Sequence, residues 1–73
     1  MIARRYSIVI ERTNTGFSAY SPDISGCAAV GDTEEDAATN MQEALAFHLE
    51  GMREVGEPIP EACSSVRYVD VAA

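Results

Sequence analysis

Glu11, Asp23 and Asp32 are the carboxylates that would converge if the strand ends on either side of them came together. Carboxylates held at one place are what a two-metal nuclease uses, with ions ~3.5–4 Å apart. Asp23 and Asp32 have nearer work, in a bend and just ahead of a helix cap, which leaves Glu11 alone at a strand terminus. His48 is the single histidine. A working imidazole needs an orienting partner or co-ligands, and on a helix its neighbours four residues away are Ala44 and Met52, which supply neither. Cys27 would act as a nucleophile only with a depressed pKa, and Glu34, Glu35 and Asp36 at the nearby helix start oppose a thiolate. It is expected to be a small buried residue, and Cys63 lies in a connector with no partner signal. Two cysteines and one histidine make neither zinc spacing nor a disulfide framework. Ser25-Gly26 and Ser64-Ser65 lack the nucleophile elbow, and Gly26 and Gly31 do not make a phosphate loop. No catalytic, cofactor-binding or metal-ligating residue is assigned, so the expectation is a non-enzyme that works by binding.

The elements that position these residues follow from period and punctuation. Tyr6 to Glu11 alternates as a strand, Thr13-Asn14-Thr15-Gly16 is a turn cluster with Gly16 expected at positive φ, and Phe17 to Ser21 alternates again. Closing this hairpin pairs Arg12 with Phe17, Ile10 with Ala19 and Ile8 with Ser21. Ile8, Ile10, Phe17 and Ala19 then share one face, and Val9, Ser18 and Tyr20 the other. Pro22 ends the second strand, Asp23 is expected to hold the bend through nearby backbone N–H groups, and Gly26 and Gly31 bound a short third strand, Cys27 to Val30. Thr33 caps a helix whose apolar stripe is Ala38, Met41, Leu45, Leu49 and Met52. Gly51 is expected to fray it, Gly56 to stop it, and Pro58 and Pro60 to prevent its continuation. Val66 to Val71 has the composition of a final strand, giving the order β-β-β-α-β. One helix covers one sheet face. The opposite face, with Val9, Tyr20 and Val69, is the candidate protein interface.

Bulk properties narrow the classes. A chain of 73 residues builds one domain, 1–73, with a core that supplies about 3–5 kcal/mol, so self-association as a homodimer or higher oligomer is expected. Five Arg, no Lys and twelve acidic residues give a net charge of −7, which disfavours direct nucleic-acid binding and suits a basic protein partner. No leader pattern and no apolar run of membrane-spanning length is present, and two unpaired thiols fit a reducing cytosol, so a cytoplasmic protein is expected.

Taken together, Tyr6, Ile8-Val9-Ile10-Glu11, Gly16-Phe17, Ala19-Tyr20, Pro22-Asp23-Ile24, Gly26-Cys27, Gly31-Asp32-Thr33, Glu35, Ala37, Asn40, Glu43-Ala44 and His48-Leu49 resemble the HicB-like antitoxin family from about Tyr6 to Val71. The resemblance implies an α+β, partial ribonuclease-H-like fold. In it a three-stranded antiparallel meander is joined by a parallel fourth strand beside the first, and one helix packs on one face. It implies a partner, a small basic HicA-type toxin that cleaves mRNA, which the antitoxin neutralises by occluding its active and RNA-binding surface. Gly16, Pro22, Asp23, Gly26, Cys27, Gly31 and Thr33 are the positions that carry the family's structural motif. Ser25 stands where the family often has proline, and no operator-binding segment follows the last strand, so operon repression is not expected. Two other readings are a HicB-like domain with a non-toxin partner and a metal-dependent nuclease on the same scaffold.

Overall fold

The computed structural model describes residues 4–73. Three strands, β1 (Val9–Arg12), β2 (Phe17–Ser21) and β3 (Ile24–Gly31), form an antiparallel meander in the order β1-β2-β3, and helix α1 (Glu34–Glu54) follows. The β1–β2 register matches the expected one: Val9 faces Tyr20, Ile10 faces Ala19 and Arg12 faces Phe17. The Arg12 guanidinium lies 5.7 Å from the centre of the Phe17 ring, so the last pair of the ladder is also a cation–π contact. Thr13 closes the turn twice: its backbone N–H donates to the Gly16 carbonyl at 2.8 Å, and its hydroxyl accepts from the Gly16 N–H at 3.1 Å.

Two strands are placed differently from expectation. Pairing in β1 begins at Val9, three residues after Tyr6. β3 begins at Ile24, directly after the Pro22-Asp23 turn. The earlier start of β3 is absorbed by an irregularity: Ser21 faces Ile24, whereas Tyr20 faces Ala28. Gly26 sits inside it at φ 76°. A backbone conformation that a side chain would disfavour thus reconciles a tight turn with a continuing ladder.

Gly16 does not adopt positive φ; that conformation belongs to Gly26 and Gly56 among the described residues. Close approach explains Gly16 instead. A Cβ there would strike the Gly31 carbonyl oxygen, and a Cβ on Gly31 would strike the backbone of Asp36 and Ala37. The first turn of α1 therefore lies directly on the end of β3. A Cβ on Gly51 would meet nothing within 4 Å, and α1 runs through this glycine without fraying to Glu54. The same substitution should thus act with opposite signs at the two positions. Gly31→Ala is expected to lower stability by about 1–3 kcal/mol through overpacking against backbone. Gly51→Ala should raise it by ~1 kcal/mol through helix propensity. Urea midpoints of the two variants check this.

Thr33 caps α1 as expected, its hydroxyl accepting from the Asp36 N–H at 3.0 Å, with Glu34, Glu35 and Asp36 at the positive end of the helix. The C-terminus closes on Gly56. The Gly56 N–H donates to the Arg53 carbonyl and the Glu57 N–H to the Met52 carbonyl, the two bonds of a Schellman motif. The core between sheet and helix is formed by Ala19, Ile24 and Cys27 from the strands and Ala37, Met41 and Leu45 from the helix, all buried. Ala37, not Ala38, heads the helical stripe, a phase difference of one residue that two adjacent alanines leave open to sequence reading.

The expected fourth strand is absent among the described residues. From Gly56 to Ala73 the chain is irregular, and Val66 to Val71 pairs with no strand of the described chain. Two tethers fix its course. The Tyr6 hydroxyl donates to the Pro60 carbonyl at 2.6 Å, and Asp23 holds Cys63 and Ser64. Beyond Ser64 every residue is exposed.

Candidate protein-binding surfaces

Strand alternation puts Val9, Glu11, Ser18, Tyr20, Ala28 and Val30 on the face of the sheet away from α1. The pairings align them in two rows, Val9–Tyr20–Ala28 and Glu11–Ser18–Val30. Tyr20 is the large side chain in the middle of the first row and is exposed, as is Val30. Val9 and Tyr20 are therefore brought together as the sequence suggests. Val69 is not. Its place on this face depends on a fourth strand, and it lies instead in the exposed C-terminal stretch.

The opposite surface belongs to α1. Glu34, Glu35, Asp36, Glu43, Glu50 and Glu54 are exposed on it, with Arg53 as the exposed base of the helix. This one element concentrates half of the chain's twelve acidic residues, so the negative field is strongest on the helical side. Near its C-terminal end a shallow groove is lined by Phe47, Gly51 and Val55, with His48, Met52 and Glu57 beside them. Phe47 and Val55 are exposed. Sequence reasoning passes over this second stripe, although Phe47, Gly51 and Val55 at four-residue steps are its signal.

Of the three carboxylates with a conceivable common site, Glu11 pairs beside Ser18, and Asp32 follows β3 at the far end of the sheet from the Asp23 turn. Among the described residues, no group of three or more His, Cys, Asp or Glu is placed to hold a metal ion.

Asp23 does not hold its own bend. Its Oδ2 accepts from the backbone N–H groups of Cys63 and Ser64, both at 3.0 Å. Its Oδ1 accepts from the Ser64 hydroxyl at 2.7 Å and from the Cys63 thiol at 3.2 Å. Four donors on one carboxylate form a clamp between the β2–β3 turn and a segment forty residues later. The Ser64 hydroxyl and backbone, followed by Cys63, hold the Asp23 carboxyl below its ordinary value. The Asp23 carboxylate pushes the Cys63 thiol up, first by accepting its hydrogen bond and then by its charge. Cys27 is also pushed up, in its case by burial.

These shifts set a pH window for the clamp. In the folded chain Asp23 binds a proton less readily than in the unfolded chain, so its contribution is complete above the ordinary carboxyl value of roughly 3.9 and is lost as pH falls through the lowered one. Cys63 has the reverse sign, because its protonated form is the bonded one. Its contribution is complete below an ordinary thiol value of roughly 8.5 and fades as pH rises through the raised one. Asp23→Asn should accordingly speed alkylation of Cys63 at pH 8 several-fold while Cys27 stays unreactive until unfolding. Mass-resolved iodoacetamide kinetics measure both thiols at once, and an unchanged Cys63 rate would mean that the clamp does not form.

A family model described as the HicB_like antitoxin of bacterial toxin-antitoxin systems matches residues 6–72. The chain belongs to the HicB-like antitoxin family. Among solved structures, a chain in the "HicA3 and HicB3 toxin-antitoxin complex" shares 40% identity with this HicB-like chain at a TM-score of 0.72, the match covering 82% of this chain and 70% of that one. An uncharacterized 14.9 kDa protein from the rep-hol intergenic region of Haemophilus phage HP1 is 40% identical over 65 residues, 89% of this chain. This HicB-like chain spans about half (49%) of that phage protein's length. The UPF0150 protein ssr1765 of Synechocystis is 32% identical over 57 residues, covering 77% of this chain and 72% of that protein. The motif positions fall on the features just described. Gly16 and Gly31 make the close approach, Pro22 and Asp23 the turn, Gly26 the positive φ, Cys27 a core position and Thr33 the cap. No helix of the described residues is long and apolar enough to cross a membrane.

Proposed function

We propose that this HicB-like chain neutralises a small basic HicA-type toxin by seating on it with the outer face of the sheet, Tyr20 and Val9 at the centre of the contact. The observation that carries the reading is the 40% identity and shared fold with a chain of a HicA3–HicB3 complex. The chain supplies no catalytic step in this reading. It occludes the surface on which the toxin holds RNA, and the inhibitor itself needs no nucleophile, base or metal.

In this proposal two faces divide the work. Tyr20 lies between Val9 and Ala28, so its ring stands beside a small neighbour and is open to a partner. Tyrosine in such a position is a frequent energetic centre of protein interfaces. The carboxylates of α1 lie on the other side of the molecule and act at range, accelerating encounter with a cationic partner and repelling RNA. Surface-plasmon measurements with a purified HicA-type toxin separate the two roles. Glu43→Lys with Glu50→Lys should slow association several-fold at low salt and leave dissociation nearly unchanged, the difference fading as salt screens the field. If the double reversal instead mainly speeds dissociation, the helix is the contact surface and the assignment of the sheet face is wrong.

A further inference from the structure

The outer side of α1 holds an apolar groove that the fold itself does not use. Phe47 and Val55, 80% and 71% exposed, stand two turns apart with Gly51 midway between them. A Cβ on Gly51 would meet nothing within 4 Å, so the space between the two side chains reaches down to the helix backbone. A glycine inside a helix weakens it, and no neighbour within the chain crowds this one. What the missing side chain leaves is room, a groove of about 320 Å³ with the half-buried Met52 and His48 along one wall and Glu57 at one end. The other flank is anionic. Helical spacing puts the exposed Glu43 and Glu54 within about 40° of Phe47 around the axis and the exposed Glu50 about 60° away. Arg53, the base in the last turn, points about 120° away from Phe47 and leaves that charge standing.

We infer that this groove docks a cationic amphipathic helix of a partner protein. Its apolar side chains seat over Gly51 between Phe47 and Val55, and its Arg or Lys side chains run along Glu43, Glu50 and Glu54. The occupant is a helix because α1 bonds its own backbone and offers no strand edge, so whatever lies on it must satisfy its own N–H and C=O groups. Charge decides the rest. A second copy of this chain would set one anionic rim against another, and nucleic acid or an anionic lipid surface would meet the same repulsion. An arginine on the partner fits twice, its guanidinium stacking on the open Phe47 ring while it pairs with a neighbouring carboxylate. Two turns of groove make a contact below the size of a stable interface, so the complex is expected to be transient and micromolar. The inference stands apart from the toxin reading, because it uses the side of the molecule away from Tyr20 and needs no toxin.

NMR titration of the isotope-labelled full chain with two designed helical peptides of equal length tests it. One is built of Leu and Arg with every Leu on a single face, and the other has Glu in place of each Arg. The Leu/Arg peptide should bind, with the largest amide shifts at Phe47, Gly51 and Val55, and the Leu/Glu peptide should not. Gly51→Gln fills the groove floor with a better helix former. That variant should unfold at a higher urea concentration than the parent and yet bind the Leu/Arg peptide at least about tenfold more weakly. Phe47→Ala should lose binding to a similar degree with its circular dichroism unchanged, because the exposed ring is not packed in the core. Binding that survives both substitutions, shifts that run along the carboxylates and miss Phe47 and Gly51, equal binding of the Leu/Glu peptide, or no binding of the Leu/Arg peptide would each overturn the inference.

Discussion

Met41→Ala is expected to leave no cooperative unfolding transition at 25 °C. Met41 is fully buried, and with Ile24 it is the largest side chain in the core with essentially no exposure. It sits at the middle of the Ala37–Met41–Leu45 stripe, where α1 lies on the sheet. Removing a buried methionine side chain typically costs about 2–5 kcal/mol, the transfer term plus the cavity. A single core in a chain this short supplies about 3–5 kcal/mol. The two ranges overlap almost entirely, so the variant has little or nothing left over. Urea titration followed by circular dichroism should show a sloping baseline for Met41→Ala. Met52→Ala, half-exposed near the helix end, should keep a transition with a modestly lower midpoint. A normal transition in Met41→Ala would mean that the core is larger than the six buried residues.

Tyr20→Ala is the second large effect, and it falls on binding. Truncating an interface tyrosine at the centre of a contact costs about 2 kcal/mol or more, which is roughly 30-fold in Kd. Stability should suffer less, because the Tyr20 ring faces away from the core, and its cross-strand neighbours Val9 and Ala28 remain paired through backbone. The loss should appear in the dissociation rate, in contrast to the charge reversals on α1, which act on association. Val9→Ala should follow in the same direction with a smaller effect. A toxin affinity within about threefold of the parent for Tyr20→Ala would remove this face from the interface.

Local rules make most of the fold legible. The β1–β2 register is readable because period-2 alternation and a four-residue turn together allow one pairing that buries Ile10 and Ala19. The two ends of α1 are readable because Thr33 and Gly56 do what Ser/Thr and Gly do at helix termini. Long-range placement is what escapes such rules. Sequence alone gives the Asp23 carboxylate to its own turn, because nothing near it marks a partner forty residues away. It gives Val66 to Val71 to the sheet, because composition specifies an extended segment but not the edge it joins. Gly16 is expected at positive φ when its requirement is steric, a constraint visible only once β3 and the hairpin are side by side. Of the candidate interface residues, Tyr20 is put on the outer sheet face by the same alternation that sets the register, whereas Val69 lies off that face, with no fourth strand among the described residues to carry it.

Inhibition of an RNA-cleaving partner by covering it is the central claim for this HicB-like chain. The most direct measurement is mRNA cleavage by a purified HicA-type toxin, titrated with the purified chain. Cleavage should fall to background at stoichiometric addition, Tyr20→Ala should shift the inhibition curve by roughly 30-fold in concentration, and the chain alone should cleave nothing. Undiminished cleavage at a large excess of folded chain would contradict it.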